Sequence, residues 1–167
     1  MARVDASALY DPAAADAYEA RAAAAFPGRD GFFRVVTAAL ADLPPDAHVL
    51  VVGCGTGTEI LALGNALPTA RFLALDPSEA MLERCRERVD ATGLDDRVEL
   101  RCCAFPDPSV GRGFHAATAL FVSQHLEDEK AVLGFFAELA RSLRPTGRLL
   151  AADLFLPDGR DRGAALG

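Results

Sequence analysis

Three glycines at alternate positions, Gly53, Gly55 and Gly57, close the stretch His48-Val-Leu-Val-Val-Gly-Cys-Gly-Thr-Gly. Glycine has no Cβ, so a turn built from it brings bare backbone close to a ligand. A carboxylate follows at Asp76, the last residue of Arg71-Phe-Leu-Ala-Leu-Asp. An acid at the tip of an apolar run is costly to place unless something pairs with it. His125 lies in Ser123-Gln-His-Leu-Glu-Asp, directly after a third apolar run. An imidazole there suits proton transfer near neutral pH. His48 starts a strand and His115 lies early in another, so both read as structural.

These groups can meet only if three strands deliver them to one edge of a sheet, the carboxyl edge where open α/β sheets bind ligands. Val49 to Val52 is an apolar, β-branched run of the kind that fills a buried parallel strand, which reads from His48 to Val52. Thr58 to Leu67 reads as the helix after the glycine turn, and Pro68 ends it. Arg71 to Leu75 is a second strand, and Ser78 to Asp90 an amphipathic helix stopped by Thr92-Gly93. Arg97 to Cys102 and Phe114 to Val122 follow as strands, then a helix from Glu127 to Leu143 and a fifth strand from Leu149 to Phe155. Ahead of them, Pro12 and the alanine-rich Ala13 to Phe26 predict one helix. Asp30 or Gly31 to Leu43 predicts another, with Phe33, Val36, Ala39 and Leu40 on one face. The alternation predicts a doubly wound α/β domain with five parallel strands in the order 3-2-1-4-5. A single domain is expected over 1–167: N-terminal helices at 1–45, a core at 46–156 and a short tail at 157–167.

The glycine spacing discriminates between ligands. A dinucleotide fingerprint needs Gly-x-Gly-x-x-Gly, and its third glycine would fall on Thr58 or Ile60. The Gly-x-Gly-x-Gly that is present, with its preceding strand, following helix and the acid at Asp76, resembles the class I S-adenosyl-L-methionine-dependent methyltransferases of the small-molecule type. That resemblance implies a Rossmann-like sheet, S-adenosyl-L-methionine as cofactor, S-adenosyl-L-homocysteine as its product and methyl transfer to a small-molecule O, N or C acceptor. It implies cofactor contacts from Gly53, Cys54, Gly55, Thr56 and Gly57, and ribose hydroxyls on Asp76, whose alternative is a plain helix cap. Pro77, Met81 over the adenine face, Ala104, Phe105 and Ser123 complete the implied set. Met81 alone would read as core packing. The N-terminal helices resemble a cap over the methionine end, where Arg21 or Arg29 either pairs with the cofactor carboxylate or is a solvated arginine. His125 is implied as base or substrate contact, with loop packing the alternative.

Two positions depart from the family pattern. Val51 stands where many relatives carry an acid in the first strand, and Ala104 stands where an acid accepts the adenine amino group. Each missing acceptor costs about 1 kcal/mol of affinity. A dinucleotide-binding oxidoreductase domain, or a methyltransferase-like subunit without turnover, is the competing reading.

Composition narrows the partners. The formal net charge of −7 and the lack of a basic cluster argue against a nucleic-acid surface. No apolar run reaches membrane-spanning length, and the N-terminus lacks the apolar stretch of a signal peptide. Cys54, Cys85, Cys102 and Cys103 show no metal-binding spacing, so reduced thiols in a cytoplasmic protein are expected. The resembling enzymes continue past the fifth strand into a helix and hairpin. Here eleven turn-rich residues follow Leu156. The fifth strand is therefore expected to be an open edge, and the chain either a truncated piece or a protomer whose edge a second copy or a partner covers, with no lasting isolated monomer.

Overall fold

In the computed structural model, residues 10–154 are described. Two helices, α1 (Pro12–Ala25) and α2 (Arg29–Ala39), precede the sheet. Then come β1 (His48–Val52), α3 (Thr58–Ala66), β2 (Arg71–Asp76), α4 (Glu79–Ala91), β3 (Val98–Cys102), β4 (Phe114–Leu120), α5 (Glu129–Ser142) and β5 (Leu143–Ala152). The five strands pair in the order β3-β2-β1-β4-β5, every pair parallel, as the strand–helix alternation predicts. Among the described residues no helix is long and apolar enough to cross a membrane.

β1 lies at the centre because both its faces are apolar, and Val49, Leu50 and Val51 are fully buried. Alternate residues then feed two cores. Val49, Val51, Phe72, Ala74, Ala116 and Leu120 meet Val36 and Leu40, Ile60 and Leu63 of α3, and Leu82, Cys85 and Val89 of α4. Leu50, Val52, Leu75, Ala117 and Ala119 meet Phe135 and Leu139 of α5. Truncating a fully buried leucine such as Leu63 to alanine costs about 2–5 kcal/mol in cores of this kind.

The helices start where side chains can accept their first free N–H groups. Asp11 accepts from the Ala14 N–H at 2.7 Å, with Pro12 in the first turn. Asp128 accepts from the Ala131 N–H at 2.8 Å, and Ser78 from the Met81 N–H at 3.3 Å. Such caps contribute about 1 kcal/mol each. The Asp128 cap explains why α5 begins at Glu129, two residues later than the pattern suggests. The second helix ends at Ala39, short of the expected Leu43. β4 stops at Leu120, where Phe121 turns into the left-handed region with φ 62°.

The fifth strand needs a larger correction. Its ladder opens with Leu143 opposite Phe114, breaks, and resumes with Arg148 opposite Ala116. The residues Arg144-Pro-Thr-Gly, left between the expected helix and fifth strand and composed like a turn, thus form a bulge inside the strand. Gly147 fits there because a Cβ would lie 2.9 Å from the Phe114 carbonyl oxygen. β5 pairs only with β4 among the described residues, and Phe155 and the tail 157–167 lie outside them. The Arg148 guanidinium ties this edge back to the end of α2 through the Asp42 carboxylate and the Ala39 carbonyl.

One buried acid sits between the layers. Glu59, in the first turn of α3, and Thr118 of β4 are buried, and Glu59 Oε1 and Thr118 Oγ1 lack hydrogen-bond partners. Burial raises the Glu59 carboxyl from its ordinary 4.5 to about 7, with the neighbouring Thr118 hydroxyl opposing part of the rise. Below 4.5 both folded and unfolded chains hold this proton. Above it the folded chain alone keeps it, so stability falls as pH rises toward 7. Glu59→Gln removes that loss. Its melting temperature should exceed the parent's at pH 8, by the equivalent of roughly 2–3 kcal/mol, and converge with it near pH 4.5.

Candidate active site

The glycine turn is stitched to the end of β2 by backbone bonds. The N–H groups of Gly53 and Cys54 both donate to the Leu75 carbonyl, at 2.8 and 2.9 Å. The next free amide, Gly55 N–H, donates to Asp76 Oδ2 at 2.9 Å, and Ser78 N–H donates to Asp76 Oδ1 at the same distance. Asp76 is only 8% exposed. Burial raises its carboxyl above the ordinary value, against the lowering effect of the Ser78 and Gly55 amides. Each carboxylate oxygen keeps a lone pair for a further donor.

A cavity of about 760 Å³ opens at this carboxyl edge, within the range of small-molecule sites. Gly53, Gly55, Asp76, Pro77, Met81, Ala104, Phe105 and His125 line it. Six residues that the resemblance offers to the cofactor lie outside the lining of this cavity. Cys54 is buried, its thiol directed to the Gly55 carbonyl at 3.8 Å. Gly57 packs on Cys85, where a Cβ would meet the sulfur at 2.7 Å. The Thr56 hydroxyl donates to Glu19, and the Ser123 hydroxyl to Asp153. Arg21 donates to the Ala14 carbonyl of its own helix at 2.9 Å, and Arg29 pairs with Glu19 at 2.7 Å. Neither arginine lines the cavity. Both are drawn to closer acceptors, one a carbonyl and one a carboxylate.

The structure adds residues that sequence reasoning passed over. Both of the chain's tyrosines, Tyr10 and Tyr18, face the cavity, their rings 6.0 Å apart and edge to face. The Tyr10 ring also meets the His125 ring at 6.4 Å. Burial raises both phenol pKa values, and the Asp76 charge adds to the rise at Tyr10. No sequence spacing signals this pairing, because one tyrosine precedes the cap of α1 and the other lies within it. Glu19 was equally hidden. Its carboxylate accepts from Thr56, from Thr58 at 3.0 Å and from Arg29, with Arg88 at 3.2 Å. Among the described residues no cluster of His, Cys, Asp and Glu suits a metal ion.

Sheet order, glycine turn and acid-tipped second strand define an open α/β protein with its ligand cleft at the carboxyl edge of β1, β2 and β4. The family described as Methyltransferase domain matches residues 49–147, and this chain belongs to it. A trans-aconitate 2-methyltransferase of Variovorax paradoxus is 45% identical over 119 residues, 71% of this chain and 42% of that protein. A demethylmenaquinone methyltransferase of Lactiplantibacillus plantarum is 32% identical over 133 residues, 78% of this chain and 55% of that protein. The chain thus spans about half the length of these two relatives. A geranyl diphosphate C-methyltransferase from Streptomyces coelicolor shares the fold with a TM-score of 0.66 at 20% identity, over 74% of this chain and 45% of that one.

Glu19 supplies a test of how the cap is held. Burial alone would raise its carboxyl, but hydrogen bonds from Arg29, Thr56 and Thr58 outweigh it and hold the value at about 2, against an ordinary 4.5. The unfolded chain therefore binds the proton first, and the stabilisation is complete above 4.5 and lost as pH falls toward 2. Glu19→Gln should melt below the parent at pH 7, and the gap should close between pH 4.5 and 2.

Proposed function

We propose that this chain binds S-adenosyl-L-methionine in the cavity and methylates a small-molecule acceptor, leaving S-adenosyl-L-homocysteine. The observation that carries the reading is Asp76, a buried carboxylate at the tip of β2, aimed into a cavity of adequate size and already orienting the glycine turn. The Streptomyces coelicolor enzyme of the same fold is described in complex with S-adenosyl-L-homocysteine and geranyl diphosphate. A trans-aconitate methyltransferase and a demethylmenaquinone methyltransferase are among the relatives, which fits a small-molecule acceptor without choosing one.

The bound cofactor supplies a methyl group on an electron-poor sulfur. The chain's own residues bind, orient and exclude water. Asp76 takes the ribose hydroxyls with its remaining lone pairs, and the bare backbone at Gly53 and Gly55 admits the cofactor to van der Waals contact. Met81, Ala104 and Phe105 form the adenine end, where Phe105 offers a ring face in place of the family's acid. Tyr10, Tyr18 and His125 stand around the far end. His125 is the base for an acceptor that must lose a proton, the Tyr10 ring beside it fixing the imidazole plane. A cytoplasmic location with free thiols, and a second copy over the β5 edge, belong to the same proposal; light scattering at micromolar concentration tests the latter.

Titration calorimetry with S-adenosyl-L-homocysteine and with NAD is the deciding experiment. Binding of the first alone supports the enzyme reading, binding of NAD supports the oxidoreductase, and binding of neither supports a subunit without turnover. Asp76→Ala should lose about 1.5–3 kcal/mol of cofactor affinity, the worth of a charged hydrogen-bond acceptor. Parent-like affinity would sink the assignment. Gly55→Val should fail to bind, because the added branches fill the cavity beside the Tyr18 ring edge 4.0 Å away, and should melt below the parent, because valine is strained at φ 53°.

A further inference from the structure

Phe121 breaks a rule that the rest of β4 obeys. Ala116 and Leu120 point into one core, and Ala117 and Ala119 into the other. By that alternation Phe121 should join the α5 side, yet it packs on the same side as Leu120, while Val122 packs on the α5 side. The cause is its backbone. Phe121 has φ 62° and is the one non-glycine residue with positive φ among the described residues, an outlier for a bulky side chain. Both its backbone groups are held there: its N–H donates to the Ala152 carbonyl at 2.6 Å, and its carbonyl accepts from Gln124 Nε2 at 3.2 Å.

The flip has two results. The Phe121 ring reaches the N-terminal helices, 6.0 Å from the Phe26 ring at the end of α1 and 5.4 Å from the Phe32 ring of α2. The next side chain, Val122, is turned onto the glycine turn, so close that a Cβ on Gly53 would lie 2.5 Å from its methyl. His125 follows one turn later, beside Tyr10. One strained residue thus joins the cap helices, the glycine turn and the His125 segment. Strain of this kind persists only where the surroundings over-determine it, and the aromatic cluster of the cap is one of those surroundings.

We propose that Phe121 is a positioning residue whose left-handed backbone latches the α1–α2 cap to the site, so that cofactor affinity depends on cap docking. The proposal rests on the methyltransferase reading for its ligand, but the latch itself is visible without one.

The test compares Phe121→Gly, which keeps the turn without strain and deletes the ring, with Phe121→Leu, which keeps an apolar group able to reach Phe26 and Phe32. Hydrogen exchange on each protein without ligand reads the cap, calorimetry with S-adenosyl-L-homocysteine reads the site, and the melting temperature reads folding. Phe121→Gly should exchange at least tenfold faster in α1 and α2 with the strands unchanged, and should bind S-adenosyl-L-homocysteine at least tenfold more weakly. Phe121→Leu should recover most of both. Phe26→Ala combined with Phe121→Gly should add little to either alone. Unchanged exchange in the cap of Phe121→Gly overturns the latch, as does affinity within twofold of the parent when the cap has loosened. If Phe121→Gly does not fold, Phe26→Ala and Phe32→Ala carry the same two readouts from the cap side. A parent that binds no S-adenosyl-L-homocysteine defeats the functional reading instead, and the exchange result still decides the latch.

Discussion

The site depends on one buried carboxylate. Asp76 ends β2, and its two oxygens accept the N–H groups of Gly55 and Ser78, joining the turn after β1 to the start of α4. Buried at 8% exposure, the charge is affordable only with those partners. The arrangement works in both directions: the carboxylate fixes the glycine turn, and the amides of Ser78 and Gly55 oppose the upward push of burial on its pKa. A ligand meeting Asp76 therefore finds an acceptor whose desolvation and orientation were settled on folding, the condition under which a hydrogen bond contributes most.

A second carboxylate ties the cap to the same turn from outside the cavity. Glu19 of α1 accepts from Thr56 and Thr58, and Arg29 and Arg88 balance its charge. The hydroxyl of Thr56, expected at the cofactor, is spent on this contact. Among the ties that hold the cap are an ionic one at Glu19 and an aromatic one at Phe121. Glu59 is a second buried acid close behind the turn, and there burial favours the neutral form against the Thr118 hydroxyl.

The fold was legible because its signals are local and periodic. The β-branched run of β1, the proline and glycine stops and the acid at the tip of β2 each act within a few residues, and together they imply the strand order. What the sequence concealed was long-range or required a broken rule. Arg21 and Arg29 look alike as candidate anion binders, and only the positions of the Ala14 carbonyl and Glu19 decide where they go. The Arg144–Gly147 bulge reads as a turn, since the same residues suit both and only the pairing of Leu143 with Phe114 tells them apart. The pairing of Tyr10 with His125 is a contact between distant segments, and no composition or period encodes it.

The spacing of the three glycines follows from packing more than from the ligand. Gly53 faces Val122, and Gly57 faces Cys85 of α4, each too close for a Cβ. Gly53 and Gly55 both line the cavity, but only Gly55 leaves a Cβ room, with the Tyr18 ring edge 4.0 Å away. In a dinucleotide fold the last glycine lets the helix approach its own strand; here Gly57 lets α4, the following helix, approach the turn. The motif thus encodes which helix crowds the turn, and that helix is the one Asp76 starts through Ser78. A valine at 51 suits this geometry: Val51 is fully buried in the core with Ile60 and Leu82 and adds apolar packing beneath the turn. What remains at the cavity surface includes Asp76 and the aromatic residues facing it.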